Sequence, residues 1–181
     1  MKARIHLIAA PTAIQPGGYI PGAYADRTQP AVTDLDIRIE EHGPRWEIFL
    51  SWACPVESSS TIHDVDRFAD SAAILTPSQP DAALMTMGSK AAGVDGWFWK
   101  ADEKQGIRFQ ARGLGTVERS DLPADAQVTG LWQDGRWGVK FELPVWRSLD
   151  LHRKVGFAVW QGAASERAGL KSVSPGWIEL P

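Results

Sequence analysis

The chain has one cysteine in 181 residues, Cys54, which excludes an internal disulfide and leaves the redox compartment open. It also lacks a block of like charge. The 19 basic and 22 acidic residues give a formal net charge of −3, without the clustered positive surface from which nucleic-acid recognition starts. No run approaches the ~18 apolar residues of a membrane span, so no membrane insertion is expected. Met1 to Pro11 has a charged start, but its apolar part is short and broken by His6, which is a poor secretory signal. Metal-binding spacing is missing too. His6, His42, His63 and His152 are scattered, with no His-x-x-x-His or Cys/His pairing to hold zinc. Asp64, Asp66 and Asp70 lack the Gly and terminal Glu of a calcium loop, and Ser51, Ser71 and Ser172 lie in no nucleophile-elbow pattern. No independent catalytic centre is expected.

What the chain does have is tryptophan, nine residues against two tyrosines. That composition fits a β-rich core or a lined ligand pocket. At this length one domain is expected, large enough to bury most of its apolar surface. Residues 1–30 read as an extended N-terminal arm, with Pro16-Gly17-Gly18 and Pro21-Gly22 as turns. Residues 31–181 read as the folded domain. Leu35, Ile37 and Ile39, then Trp46, Ile48, Leu50 and Trp52, alternate with polar or surface residues around a turn at Glu41-His42-Gly43-Pro44. This is the period-two pattern of a half-buried hairpin. A second hairpin spans Gly130 to Leu143, and its Asp134-Gly135 suits the positive φ values of a type I′ turn. Further strands are expected at Ala72–Leu75, Trp97–Lys100, Ile107–Ala111, Lys154–Trp160 and Trp177–Leu180, and no long helix. The pattern predicts an all-β fold, an antiparallel two-sheet β-sandwich.

Binding is the class of function left. A sandwich rich in Trp could stack sugars on exposed indoles or enclose a large planar cofactor. Three segments resemble one family. They are Phe68-Ala69-Asp70-Ser71-Ala72; Met87-Gly88 ahead of Trp97-Phe98-Trp99-Lys100-Ala101; and Phe157-Ala158-Val159-Trp160-Gln161-Gly162 ahead of Glu166-Arg167-x-Gly169-x-Lys171-Ser172-Val173-Ser174. In this order and spacing, over about Ile62 to Leu180, the chain resembles the haem-binding γ subunit of ethylbenzene dehydrogenase and its relatives. That family includes the small subunits of the type II dimethyl sulfoxide reductase group.

The resemblance implies one b-type haem between the two sheets, with short helices or loops around the pocket and Met87 and Lys171 as axial ligands. Met85, two residues away, is the reserve for the thioether. Trp97, Trp99 and Phe157 are implied to pack around the cofactor, with Trp160 as a further lining candidate. Arg167 or Lys90 is the candidate to neutralise a propionate. The resemblance further implies a non-catalytic electron-transfer subunit. Its partners would be a large molybdenum subunit carrying molybdopterin and an iron–sulfur subunit, and electrons would be exchanged with an external cytochrome-like carrier. A periplasmic location is implied, with export as a folded complex or after removal of a signal. Read without the resemblance, a methionine beside aromatics fills core gaps, and a lysine in a Gly/Ser loop is a solvated charge. The rival reading is a carbohydrate-binding module without haem.

Overall fold

The computed structural model describes residues 1–16, 20, 22, 26–59 and 68–181. His63, Asp64, Asp66 and the glycines of Pro16-Gly17-Gly18 lie outside the described residues. In chain order the strands and helix are β1 (Lys2–His6), β2 (Ile8–Ala9), β3 (Asp34–His42), β4 (Arg45–Ala53), β5 (Ser71–Pro77), β6 (Val94–Lys100), β7 (Ile107–Ala111), β8 (Glu118–Asp121), β9 (Gln127–Gln133), β10 (Arg136–Leu143), α1 (Arg147–His152), β11 (Lys154–Trp160), β12 (Ser172–Val173) and β13 (Ile178–Glu179). Among the described residues no helix is long and apolar enough to cross a membrane.

Alternation builds the first sheet, ordered β1-β3-β4-β10-β9. In β3, β4 and β10 every second residue is buried, so one face meets the core and the other meets water. The β9–β10 hairpin turns on Asp134 (φ 51°) and Gly135 (φ 75°), both in the left-handed region that a type I′ turn requires. The second sheet runs β2-β12-β11-β5-β6-β7-β8, with β13 added beside β11. All seven residues of β5 are buried, and so is most of β11. These strands are covered on both faces, and that is why they read as apolar runs rather than alternating ones. The architecture is an all-β two-sheet sandwich.

The faces of the second sheet do different work. Ala72, Ile74, Trp97, Trp99, Val155 and Val159 turn inward and close the space against the first sheet. There Trp99 packs edge-on against Trp137 at 4.7 Å and Trp52 at 6.3 Å, and Trp97 against Trp146 at 6.0 Å. Ala73, Leu75, Val94, Phe109, Ala158 and Val173 turn outward into a separate cluster that includes Met85 and Met87. Asp70 joins the layers. Its carboxylate accepts from Trp137 Nε1 (2.8 Å), Ser58 N (2.8 Å) and Gly162 N (2.8 Å). Within the stretch 1–30, expected as an extended arm, Lys2–His6 and Ile8–Ala9 are strands and Thr12–Ile14 is a single 3-10 turn, and it is Gln15 that follows this turn. Residues before the turn supply an edge strand to each sheet, β1 beside β3 and β2 beside β12.

Candidate cofactor pocket

The outer face of the second sheet carries a cavity of about 590 Å³, within the range of ligand sites. Two registers of small and apolar side chains make its floor. One runs Val173, Ala158, Ala73, Phe98 across β12, β11, β5 and β6. In the other, Leu75 and Phe109 flank Gly96. The space between the sheets is filled mainly by indoles and aliphatic side chains, so this cavity lies on the outer face, whereas the resemblance implies a cofactor between the sheets. Ala73 and Ala158 leave this face open, whereas Trp97 and Trp99 fill the inner one.

Two loops wall the cavity from opposite ends of the strands. The loop after β5 leaves the sheet at Pro77 and carries Met85 and Met87. The segment after β11 leaves at Trp160, beside Ser71 at the start of β5, and carries Lys171. Local hydrogen bonds shape the methionine turn. Met87 N donates to Leu84 O (2.9 Å), Gly88 N to Ala83 O (2.7 Å), and Gly113 N to Met87 O (3.0 Å). Met87 has φ 56°, a left-handed conformation that costs a side-chain-bearing residue about 1–2 kcal/mol. Gly88, at φ 80°, could not be replaced freely, because a Cβ there would lie 2.4 Å from Ala92 O. The turn is thus held in one strained shape.

The lysine segment is anchored by a buried carboxylate. Glu166, 1% exposed, accepts from Gln161 N (2.8 Å), Ala31 N (3.3 Å) and Ser172 Oγ (3.2 Å), and pairs with Arg27 at 3.4 Å. Burial pushes its carboxyl above the usual range, while those donors pull the other way. Ala10 N donates to Lys171 O (2.9 Å), and Trp160 Nε1 to Ala168 O (3.1 Å). The Lys171 ammonium lies 5.3 Å from the Trp160 ring centre and 3.5 Å from Ala168 O. Burial pushes its pKa down to about 8, because surrounding protein replaces water around the charge.

The other expected residues separate by strand parity. Phe157 contributes to the cavity wall, but it also belongs to the core cluster between the sheets. Trp97 and Trp99 face away from the cavity. Phe98 and Trp160 take their place, packed edge-on at 5.6 Å. Arg167 stacks over Phe68 at 4.5 Å, and neither it nor the exposed Lys90 lines the cavity. Arg119 does. It lies opposite Phe109 on the edge strand β8 and has no ion-pair partner among the described residues. Gln15 is a second lining residue without a sequence signal. Of the nine indoles, Trp132, Trp160 and Trp177 are half-buried and the other six are buried.

The donor set suits a haem. A soft thioether and an amine that sheds its proton readily share a mostly apolar cavity. Besides that amine the lining side chains include one cation, Arg119, and no carboxylate, which matches a planar apolar ring bearing acidic groups.

No family model matches the chain. Three relatives do. The γ subunit of dimethylsulfide dehydrogenase from Rhodovulum sulfidophilum is 32% identical over 162 residues, covering 80% of this chain and 59% of the relative. The γ subunit of chlorate reductase from Ideonella dechloratans is 33% identical over 143 residues, 72% and 57% of the two chains. A Haloferax mediterranei protein, provisionally named a respiratory nitrate reductase heme subunit, is 27% identical over 182 residues, 96% and 64%. The chain therefore spans about three fifths of the length of the curated relatives it matches. By these homologies the chain belongs with the γ subunits of the type II dimethyl sulfoxide reductase family.

Proposed function

We propose that this chain is an electron-transfer subunit holding one b-type haem on the outer face of its second sheet, with Met87 and Lys171 as axial ligands. One observation carries the reading. A thioether and a lysine amine from loops at opposite ends of the sheet line the same apolar cavity. The name of the Haloferax relative, a heme subunit, points the same way. Met85 lines the cavity as well and remains the reserve thioether.

A haem iron with both axial positions filled supplies one-electron transfer and leaves no site for oxygen or substrate. The chain's own residues do the rest. Phe98, Phe109 and Leu75 exclude water from the ring, and Trp160 holds the Ala168 carbonyl beside the amine. Arg119 neutralises a propionate at the rim. Burial lowers the pKa of Lys171 to about 8, so its proton is easier to displace than that of an ordinary lysine. The partners in this reading are a molybdenum subunit with molybdopterin, an iron–sulfur subunit and an external cytochrome-like carrier, in the periplasm. The γ-subunit names of two relatives support such an assembly.

Absorption spectra of the haem-loaded protein, oxidised and reduced, test the reading. A six-coordinate low-spin spectrum is expected, giving way to high-spin species in both Met87→Ala and Lys171→Ala. A colourless protein that takes up no haem overturns the proposal. So does a low-spin spectrum that both variants leave unchanged.

A further inference from the structure

We infer that Gln15 is a positioning residue for Lys171, its side-chain carbonyl accepting one N–H of the amine when that nitrogen is bound to iron. The inference rests on Lys171 as an axial ligand and adds a residue that lies outside every motif of the resemblance. Gln15 lines the same cavity as Lys171. Its Oε1 is buried and has no hydrogen-bond partner among the described residues. Buried polar atoms are almost always satisfied, so an orphaned one at a ligand site points to something the ligand brings.

Geometry fixes which end of the amide faces inward. Gln15 Nε2 donates to Pro11 O at 3.5 Å, which leaves the carbonyl as the free end. That carbonyl packs on the lysine segment, since a Cβ added to Gly169 would meet Gln15 Oε1 at 2.8 Å. Only a residue without a side chain lets it come so close. The two backbones are also tied, because Ala10 N donates to Lys171 O at 2.9 Å. Glu166 clamps the same segment to Ala31 and Arg27. The lysine segment is thus tied at Ala10, Arg27 and Ala31.

The chemistry completes the match. An amine that gives its lone pair to iron keeps two N–H donors and has no acceptor left. Most of the side chains around it are apolar. Ala168 O, at 3.5 Å from Nζ, accounts for at most one of the two, so at least one donor needs another partner. A propionate would not satisfy Gln15, since it would set acceptor against acceptor. An outer partner that accepts from a ligand's N–H fixes the ligand's orientation and raises its basicity. Here that favours ferric over ferrous iron.

The test uses the full haem-loaded chain with Gln15→Leu and Gln15→Glu, reading the reduction potential and the near-infrared charge-transfer band of the ferric form. Gln15→Leu removes the acceptor. About a tenfold loss in preference for ferric iron is expected, the lower end of effects from outer partners, equivalent to a potential higher by about 59 mV. Gln15→Glu keeps the size and offers a stronger acceptor, so it is expected to lower the potential. Opposite shifts with the low-spin spectrum retained support the inference. Unchanged potentials, or shifts in the same direction, overturn it. If Gln15→Leu does not load haem, Gln15→Glu decides alone, and a potential not lowered overturns the inference. Failure of the underlying reading is separate, since it shows in the wild-type chain as a spectrum indifferent to Lys171→Ala.

Discussion

Single residues set both the chemistry and the pH response of this molecule. Lys171, with its pKa pushed down to about 8 by burial, is about half neutral at that pH, where an ordinary lysine near 10.4 stays charged. It is therefore expected to be the first lysine acylated by a limiting amine reagent at pH 8 in the haem-free chain, and to be protected once haem is loaded. Peptide mass spectrometry reads both, and equal labelling in the two states counts against its role. The linkage sign is clear. A fold that prefers the neutral amine gains stability as pH rises from about 8 towards the ordinary lysine value. Asp70 acts in the other direction. It is fully buried, and burial raises its carboxyl above the usual range, its hydrogen bonds opposing the rise. The stability it contributes is full below about 3.9 and falls as pH rises through the raised value. Asp70→Asn is expected to flatten that fall in urea midpoints measured between pH 4 and 7. Asp70→Ala strands the Trp137, Ser58 and Gly162 donors and is expected to cost upward of about 3 kcal/mol, at about 1–3 kcal/mol for each group left unsatisfied.

At the scale of elements, the methionine turn is the part whose shape is least negotiable. Gly88→Ala puts a Cβ 2.4 Å from Ala92 O at φ 80°. It is expected to destabilise the chain by about 1–2 kcal/mol and to convert part of the loaded protein to a high-spin spectrum as Met87 is displaced. A fully low-spin spectrum at wild-type stability would show that the turn does not fix the ligand. How much of this was legible in the sequence depended on whether local pattern alone decided the outcome. Period-two alternation marked β3 and β4, and Asp134-Gly135 marked the hairpin of β9 and β10, because each follows from a few adjacent residues. The same alternation separates Trp97 and Trp99 from Phe98, but it could not say which face carries the cavity. That depends on the first sheet occupying the inner side. The four residues of β8 are all exposed, with no apolar period to mark a strand, so Arg119 carried no signal. β1 and β2 are short edge strands whose pairing is set by β3 and β12, far along the chain. Gln15 reaches the pocket only through that long-range pairing.

For the molecule as a whole, the pocket's position decides how the cofactor couples to folding. The two ligand-bearing loops leave the sheet at opposite ends, and the lysine segment is tied through Glu166 and Ala10 to residues near the N-terminus. Those residues in turn edge both sheets. A group held by both loops therefore links those N-terminal residues, the second sheet and, through Asp70, the first. Binding to the folded chain alone stabilises by RT ln(1 + [L]/Kd), about 2.7 kcal/mol at a hundredfold excess over Kd. Haem is therefore expected to raise the melting temperature with concentration, and the increment is expected to shrink in Met87→Ala and Lys171→Ala. The core between the sheets is separate from the cavity except at Phe157, which borders both. Trp99→Phe is accordingly expected to lower the melting temperature of loaded and unloaded protein alike, leaving the haem increment and the absorption bands unchanged. Calorimetric melts across a haem titration check both. An increment that collapses in Trp99→Phe but persists in Lys171→Ala would place the cofactor on the wrong face of the sheet.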